Sequence, residues 1–279
     1  MDKQLVNYKD LGVIDYKTAW AYQEKLLQEN VKIKSINAKR TVETNEAVLV
    51  PNCSTPAEDI LNSGLAKTAE NLRSADSNVL STLELNNSTT NYLLLCEHPP
   101  VYTLGKSGHE ENILISESEM QRQGIQYFKT NRGGDITFHG PQQIVGYPII
   151  DLEKFYTDIG RYLRELEEII ILTLADYRIN GERSKGETGV WIEPGVTGQE
   201  RKICAMGVRC SRWITMHGFA LNVNTDLNYF NNIIPCGIEN KKVTSIEYEL
   251  QRTVDIQEIK EKIKRNFEKV FKATLVNAD

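Results

Sequence analysis

The sequence predicts a single domain of the α/β (α+β) class, in which helices pack against a mixed β-sheet. Two segments, 158–177 and 255–271, carry apolar residues at helical spacing. Several short apolar runs that are typical of strands occur before and between them. No internal repeat or clear linker divides the 279 residues, which are enough to bury a sizeable core.

Residues 15–30 predict an amphipathic helix, because Ala19, Tyr22 and Leu26 recur at helical spacing. The chain then becomes rich in Asn, Ser, Thr, Ala and Glu over about residues 31–91. This segment offers little apolar surface to bury, so we expect a polar, partly mobile surface insertion. A small helical subdomain is the alternative, since 57–72 has some helical character.

Residues 92–105 form an apolar run that predicts a buried strand, interrupted at Pro99-Pro100. Ser116 and Glu119 form a capping box for a short helix, and Gly124 suits its end. Two further strands are predicted at 125–130 and 144–152, on either side of a polar, glycine-rich loop.

The segment 158–177 predicts a helix whose apolar face consists of Ile159, Leu163, Leu166, Ile170 and Leu174. Strand-like runs follow at 188–193, 201–210 and 217–224. Asp255 and Glu258 predict the start of a last helix, with the apolar stripe Ile256, Ile259, Ile263 and Phe267.

Composition excludes several classes of protein. The formal net charge of −5 argues against a general nucleic-acid binder. The first residues lack the apolar core of a secretion signal, and no apolar run reaches the roughly 20 residues that span a bilayer. The five scattered cysteines are typical of reduced thiols in a cytoplasmic protein. Because no zinc-type spacing of Cys and His occurs, we expect neither a metal site nor a cofactor.

Three polar patches are candidates for chemistry. Arg132 and His139 flank the glycines of 132-RGGDITFHGPQQ-143, where backbone could approach a ligand closely. Lys202 lies on the predicted strand 201–210, where a solvated lysine is the simpler interpretation. Cys236 lies between Pro235 and Gly237, so the chain direction is fixed before the sulfur and room is left after it. Burial as a small hydrophobic residue is the alternative for this thiol.

Four separated segments together resemble the lipoyl(octanoyl) transferases. They are 94-LLCEHPPVYTLGKSG-108, 132-RGGDITFHGPQQIVGYPIIDL-152, 202-KICAMGVRCSRWITMHGFALNVNTDL-227 and 234-IPCGIENKKVTSI-246. The resemblance covers the chain except residues 31–91, and it implies the α/β fold of the lipoate–protein and biotin–protein ligases. It implies transfer of an octanoyl group from octanoyl-acyl carrier protein to a lysine of lipoyl domains, the first step of endogenous protein lipoylation. The acceptors so implied are the lipoyl domains of 2-oxoacid dehydrogenase complexes and the H protein of glycine cleavage.

By position, the resemblance places the acyl-thioester cysteine on Cys236 and the lysine that activates it on Lys202. It places substrate-binding segments on Arg132, Gly133, Gly134, Asp135, Ile136, Thr137, Phe138 and His139, on Ala205, Met206 and Gly207, and on Gly218, Phe219 and Ala220. The chain departs from the family at Gln142, where the family pattern His-Gly-Pro-Gly-Gln has glycine. Gln142 should not adopt a glycine-only conformation, so the path of this loop could differ. The insertion at 31–91 is the second departure.

These residues suit a two-step acyl transfer. An ammonium beside a thiol favours the thiolate, which attacks a thioester, and a lysine amine then takes the acyl group as an amide. His139 is the competing base. We expect Phe138, Met206, Phe219 and Leu221 to line an apolar slot, and Gly-rich backbone at 132–134 and 205–207 to stabilise an oxyanion. A basic rim for acidic partners is expected from Arg183, Lys185, Arg201, Lys202, Arg209 and Arg212.

Two related activities remain open from sequence. An ATP-dependent lipoate or octanoate ligase would share the fold but would not need a thiolate at Cys236. A cysteine thioesterase would use water in place of the acceptor amine.

Overall fold

The computed structural model describes residues 3–48, 88–234 and 242–278, with side chains described from 3–40, 88–234 and 242–278. The chain divides into two compact units, one comprising Met1–Gln28 and Thr90–Asp279 and the other Glu29–Thr89. Most of the predicted insertion, including 57–72, lies outside the described residues, and so does Cys236. The prediction of a single domain with an insertion stays a prediction.

The first unit contains a large sheet to which nine of the described strands contribute, in the order β12-β1-β2-β6-β10-β9-β8-β7 with β11 beside β9. Its strands are β1 (Gln4–Val13), β2 (Asn91–Glu97), β6 (Gln143–Ile149), β7 (Glu182–Arg183), β8 (Val190–Ile192), β9 (Arg201–Ser211), β10 (Ile214–Asn222), β11 (Lys242–Val243) and β12 (Ala273–Asn277). A smaller sheet has the order β4-β3-β5, from β3 (Val101–Leu104), β4 (Gln126–Lys129) and β5 (Ile136–His139).

The large sheet is mixed, as predicted. Strand β1 runs parallel to both β2 and β12, and β11 runs parallel to β9. The pairs from β2 through β6, β10, β9 and β8 to β7 are antiparallel.

The helices are α1 (Tyr16–Val48), α2 (Glu117–Arg122), α3 (Ile159–Ala175), α4 (Ile246–Leu250) and α5 (Ile256–Phe271), and single 3₁₀ turns occur at Glu110–Asn112, Leu152–Lys154 and Leu227–Asn232. One core, shared with residues of β2, β6, β9 and β10, contains the apolar stripe of α5 and that of α3 except Leu163. Leu166, Ile170, Ile263 and Phe267 in this core have no exposed surface. Burying an apolar side chain of this size contributes about 1.5–3 kcal/mol to the stability of the fold. This gain explains why the apolar periodicity of the two helices is enough to predict them.

The predicted helix ends are confirmed. Ser116 accepts a hydrogen bond from Glu119 N at the start of α2, and Asp158 does the same for α3 from Arg161 N. Asp255 caps α5 by accepting from Gln257 N. Gly124 follows α2 with φ +66°, a conformation that glycine adopts without steric cost. The break at Pro99-Pro100 separates β2 from β3.

Five of the described strands were not predicted: β1, β5, β7, β11 and β12. In strand β1, Val6 and Tyr8 are buried, but the other positions are partly or fully exposed and include charged residues. The strand therefore lacks the run of apolar residues from which a buried strand is predicted. Strand β5 lies inside the loop that the sequence analysis interpreted as irregular. Its pairing with β3 places Phe138 opposite Tyr102, and both side chains are buried. A four-residue strand of this kind is specified by its partners more than by its own composition.

Candidate active site

A cavity of about 580 Å³ opens over β9 and β10 and is bordered by β5, β6 and the loop before β5. Its volume lies in the range of about 300–1,000 Å³ found for small-molecule sites. The cavity is lined by Lys202 and by every predicted substrate-binding residue except Phe138. Further lining residues are Tyr16, Ser107, Gln143, Val145, Tyr147, Leu163, Glu187, Thr188, Val208, His217, Asn222, Phe230 and Val243.

Small residues occupy paired positions along the strands that border the cavity. Ala205 lies opposite Ala220, and Gly207 lies opposite Gly218, between the antiparallel strands β9 and β10. Cross-strand partners share a face of the sheet, so these four residues place only small side chains or none on that face. This spacing explains why the segments 205–207 and 218–220 border a cavity and not a filled core.

The glycines of the 132–134 loop allow backbone to lie on backbone. Gly133 N donates a hydrogen bond to Val208 O at 2.9 Å. A Cβ on Gly207 would stand 2.5 Å from Gly133 O, and one on Gly105 would stand 2.2 Å from Gly134 O. The sequence analysis expected close backbone approach here. The approach that the structure contains joins the loop to β9 and to the residue after β3.

Arg132 is fixed in the cavity wall. Its Nη2 donates to Thr103 O at 2.5 Å and to Thr103 Oγ1 at 2.9 Å, and its Nη1 donates to Gly133 O at 3.0 Å. Only 8% of the residue is exposed. The guanidinium therefore brings a fixed positive charge to the polar side of the cavity.

His139 is buried beneath this loop, where burial and the nearby His98 and Arg132 hold its pKa well below the usual value. Its Nδ1 lies 2.9 Å from Gln143 Oε1. Because Gln143 Nε2 donates to Asn222 Oδ1, the Gln143 oxygen must accept, so His139 carries its proton on Nδ1. A neutral ring held in this way is suited to shaping the wall of the cavity.

The amide chain continues to the strand that follows the Cys236 loop. Asn222 Nδ2 donates to Thr244 O at 2.9 Å, and Thr244 N donates to Lys202 O at 3.0 Å. Gln143, Asn222 and Thr244 are each at most 4% exposed. A satisfied buried network of this kind fixes β11 relative to β6, β9 and β10.

Lys202 lies on β9, where its register partner on β11 is Val243. Its Nζ stands 4.5 Å from the centroid of the Trp191 ring, within the range of a cation–π contact. Lys202 and Val243 both line the cavity. The lysine that the resemblance selects is therefore at the cavity, beside the end of the segment that carries Cys236.

Cys236 itself lies outside the described residues, but both described ends of its loop reach the cavity. Phe230, on the 3₁₀ turn before the loop, and Val243, after it, line the cavity. Ile234 N donates to Asn112 O at 2.8 Å, and Ile233 pairs with Ile113. The loop thus starts beside residue 112 and ends beside β9.

Two expected lining residues lie elsewhere. The ring of Phe138 stacks on Tyr229 at 4.5 Å between centroids, in the core of the smaller sheet. Leu221 is fully buried in the core of the large sheet. Residues on a strand alternate between faces, so a strand beside a cavity sends every second side chain away from it.

The expected basic rim is largely neutralised by carboxylates. Arg201 pairs with Glu193 and Glu249, and Arg209 pairs with Glu24. Arg183 pairs with Glu167 and Glu168. Paired guanidinium groups contribute little to a long-range positive field, so we withdraw these three residues from the rim.

Gln142 corrects an expectation about the loop. Its φ is 61°, in the left-handed region that non-glycine residues can adopt at a cost. Gln142 N donates to Glu97 Oε2 at 2.8 Å, its carbonyl oxygen accepts from Asn224 N and Thr225 Oγ1, and its side-chain oxygen accepts from Asn224 Nδ2. These hydrogen bonds stabilise the left-handed conformation at Gln142.

We therefore expect Gln142→Gly to change the free energy of unfolding by less than about 1 kcal/mol, because relief of strain offsets a more flexible unfolded chain. Gln142→Val should cost about 2 kcal/mol, since a β-branched side chain is strained at this φ. Urea unfolding of both variants tests the prediction, and equal losses for Gly and Val would contradict it.

His217 and Tyr16 were not selected by the sequence analysis. His217 has φ 60° within β10, and its Nε2 lies 2.7 Å from Asn131 Oδ1. Tyr16, from the first turn of α1, stacks on His139 with 5.9 Å between centroids. His217 stands in a quoted motif and could have been chosen, whereas nothing in the sequence around Tyr16 connects it with residue 139.

Buried histidines should make stability depend on pH. Burial lowers the pKa of His98 to about 4 and that of His217 to about 3, the latter helped by Arg132 and Arg209. Between about pH 6.5 and about 4 the unfolded chain binds protons on these histidines, whereas the folded chain does not. The free energy of unfolding is therefore highest above about pH 6.5 and falls as the pH drops toward about 4. We expect a loss of a few kcal/mol between about pH 6.5 and 4.5, at most about 1.4 kcal/mol per pH unit for each histidine.

Urea unfolding at several pH values checks this expectation. His217→Gln should flatten the profile, because it removes one of the buried groups that bind a proton on unfolding. A wild-type profile that is flat between these pH values would contradict the prediction.

The described residues contain no group of three or more His, Cys, Asp or Glu side chains placed to hold a metal ion. No helix in the described part of the chain is long and apolar enough to cross a membrane.

Comparison with known proteins places this geometry in a family. Residues 69–268 match the family model of the lipoyl protein ligase A/B catalytic domain. A protein of Christiangramia forsetii named octanoyltransferase is 48% identical over 276 residues, which cover 99% of each chain. An octanoyltransferase of Flavobacterium psychrophilum is 48% identical over 97% of this chain and 98% of its own. These alignments run through residues 31–91, so the segment is shared with these relatives.

Solved structures support the fold. A bipartite lipoate protein ligase from Thermoplasma acidophilum aligns with a TM-score of 0.55 at 18% identity, over 68% of this chain and 74% of its own. A lipoate-protein ligase A bound with ATP aligns with a TM-score of 0.55 at 15% identity, over 68% and 76% of the chains. At these identities the likeness shows the architecture alone. Because near-full-length relatives are almost half identical, the chain belongs to the octanoyltransferases, a family of acyltransferases with the lipoyl protein ligase A/B catalytic domain.

Proposed function

We propose that the protein transfers an octanoyl group from octanoyl-acyl carrier protein to the lysine side chain of lipoyl domains, through a thioester on Cys236. The observation that carries the proposal is the position of Lys202 at the cavity, in register with Val243 at the end of the Cys236 loop. The name of the octanoyltransferase relatives supports an octanoyl group as the acyl group that is transferred. The Thermoplasma acidophilum ligase is described together with its E2 lipoyl domain, which supports a lipoyl domain as the acceptor.

Chain geometry supports a cysteine at the cavity mouth. Cys236 follows Ile234 by two residues, so an extended chain limits the separation of their Cα atoms to about 7 Å. Ile234 is fixed on Asn112, whose side chain donates to the cavity-lining Asp135 at 2.8 Å. The chain between Ile234 and Cys236 is therefore short enough to keep the thiol in the neighbourhood of the segment that borders the cavity, as the proposal requires.

In the first step, the Lys202 ammonium favours the Cys236 thiolate, which attacks the carbonyl carbon of the donor thioester. The new carbon–sulfur bond forms as the bond to the donor sulfur breaks, and Lys202 gives its proton to the leaving thiolate. One thioester replaces another, so the step needs no ATP.

In the second step, the acceptor lysine amine attacks the acyl-enzyme. Neutral Lys202 takes a proton from this amine, an amide forms, and the Cys236 thiolate leaves. Backbone donors must stabilise the oxyanion in both steps. The Gly133 amide already donates to Val208 O. The candidate donors to the oxyanion are therefore the other backbone amides of the segments 132–134 and 205–207.

The test is a single turnover without ATP. We expect incubation with octanoyl-acyl carrier protein to add one octanoyl group to Cys236, detected by intact-protein and peptide mass spectrometry. Addition of a lipoyl domain should move that group to a lysine of the domain. An adduct that forms only with ATP would indicate a ligase, release of octanoate without transfer would indicate a thioesterase, and either result would contradict the proposal.

A further inference from the structure

The side chain of Lys202 is held from one side by the segment around β8. A Cβ built on Gly189 would stand 3.6 Å from Lys202 Cε, and the Trp191 ring lies 4.5 Å from Lys202 Nζ. Gly189 has φ +119°, and its Cβ would be only 2.5 Å from Cys204 O. Glycine is therefore required for this segment to lie so close to β9 and to the lysine.

A buried carboxylate fixes that segment. Glu167, on α3, has no exposed surface, and its Oε1 accepts a hydrogen bond from Gly189 N at 3.0 Å. Its Oε2 lies 2.7 Å from Arg164 Nη1 and 3.1 Å from Arg183 Nε. Burying a carboxylate is costly even when it is paired, and an apolar residue could fill the same space. What the carboxylate provides here, and an apolar residue would not, is an acceptor for the buried Gly189 amide.

Helix α3 and the Gly189 segment both border the cavity. Leu163, one helical turn before Glu167, lines it, as do Glu187 and Thr188 immediately before Gly189. A change at Glu167 would thus be transmitted through one hydrogen bond to the wall beside Lys202. We propose that Glu167 is a positioning residue that acts through Gly189 to hold the Lys202 side chain in place at the cavity. This inference rests on the proposed function.

Without the carboxylate, the buried Gly189 amide loses its acceptor and the segment can move away from β9. Lys202 then gains freedom, and the thiolate and proton-transfer roles weaken together. Glu167→Gln keeps an oxygen that can accept from Gly189 N, so it should retain much of the function that Glu167→Ala loses.

The experiment measures the rate of octanoyl-Cys236 formation and the pH profile of Cys236 alkylation. We expect Glu167→Ala to slow acyl-enzyme formation at least tenfold and to shift the alkylation midpoint upward, in the same direction as Lys202→Met. The double variant Glu167→Ala/Lys202→Met should be no slower than Lys202→Met, because both changes disable one unit. Glu168→Ala is the matched control, since Glu168 also pairs with Arg183 but its side chain is partly exposed, whereas that of Glu167 is buried.

Additive losses in the double variant, or an unshifted alkylation profile in Glu167→Ala, would overturn the inference. If Glu167→Ala does not fold, Gly189→Ala replaces it, because its Cβ forces the same segment away from Cys204 O. Non-additivity with Lys202→Met supports the inference there too, and additivity overturns it. Failure of the wild type to acquire octanoyl on Cys236 would instead contradict the proposed function.

Discussion

Replacing Cys236 by alanine should lower octanoyl transfer to a lipoyl domain at least about a thousandfold, because alanine has no nucleophile that could form the acyl-enzyme. Among the cysteines whose surroundings the structure describes, Cys96 and Cys204 are buried, and burial raises the pKa of both thiols. Cys210 is exposed on β9 and has no place in the cavity lining. Steady-state transfer assays and the mass of the acyl-enzyme measure the effect.

Cys210→Ala is the matched control and should transfer at the wild-type rate with an unchanged adduct. A Cys236→Ala enzyme that still accumulates an octanoyl adduct would move the nucleophile elsewhere and refute the assignment. Retention of more than about a tenth of the activity without an adduct would favour direct transfer over a covalent intermediate.

Replacing Lys202 by methionine should lower the rates of acyl-enzyme formation and of transfer to the acceptor by about 10²–10³ each. Methionine keeps the apolar stem along Trp191 and Gly189 but removes the charge and the proton carrier. Both steps use the same lysine. Quenched single-turnover measurements of each half-reaction should therefore show a lower rate for each. The substitution removes the cation–π contact between Nζ and Trp191, so the melting temperature is measured to check that the variant is folded.

Lys242→Met provides the control. Lys242 lies opposite Arg201 on β11, and its Nζ donates to Gly198 O outside the cavity lining. We expect this variant to retain both half-reactions. A Lys202→Met enzyme that is slow in acyl uptake alone would leave the acceptor amine to another base and contradict the shared role.

The long amphipathic helices and the buried strands could be predicted from the sequence because each carries its own signal. The stripe of α5 and the cap at Asp255 are local features, and both are present in the structure. Strand β1 gains its stability from parallel pairing with β2 and β12, more than 80 residues away in the sequence, and periodicity does not report such contacts.

The candidate site was found through the resemblance, and its chemistry depends on contacts that the sequence does not display. The sequence predicted that Arg201 and Arg209 belong to a basic rim. In the structure they pair with Glu249 and Glu24, which lie in distant segments of the chain. Glu167 was not selected from the sequence, yet its side chain is fully buried and accepts a hydrogen bond from Gly189 N. Partners distant in sequence decide whether a charge is exposed, neutralised or used.

The central claim is that the Lys202 amine and the Cys236 thiol meet at the mouth of the cavity. The most direct measurement is the rate of Cys236 alkylation by iodoacetamide as a function of pH, followed by peptide mass spectrometry in the wild type and in Lys202→Met. We predict a wild-type midpoint clearly below the value of about 8.5 for a free thiol, and a return to about that value in the variant. Identical profiles for the two proteins would contradict the account.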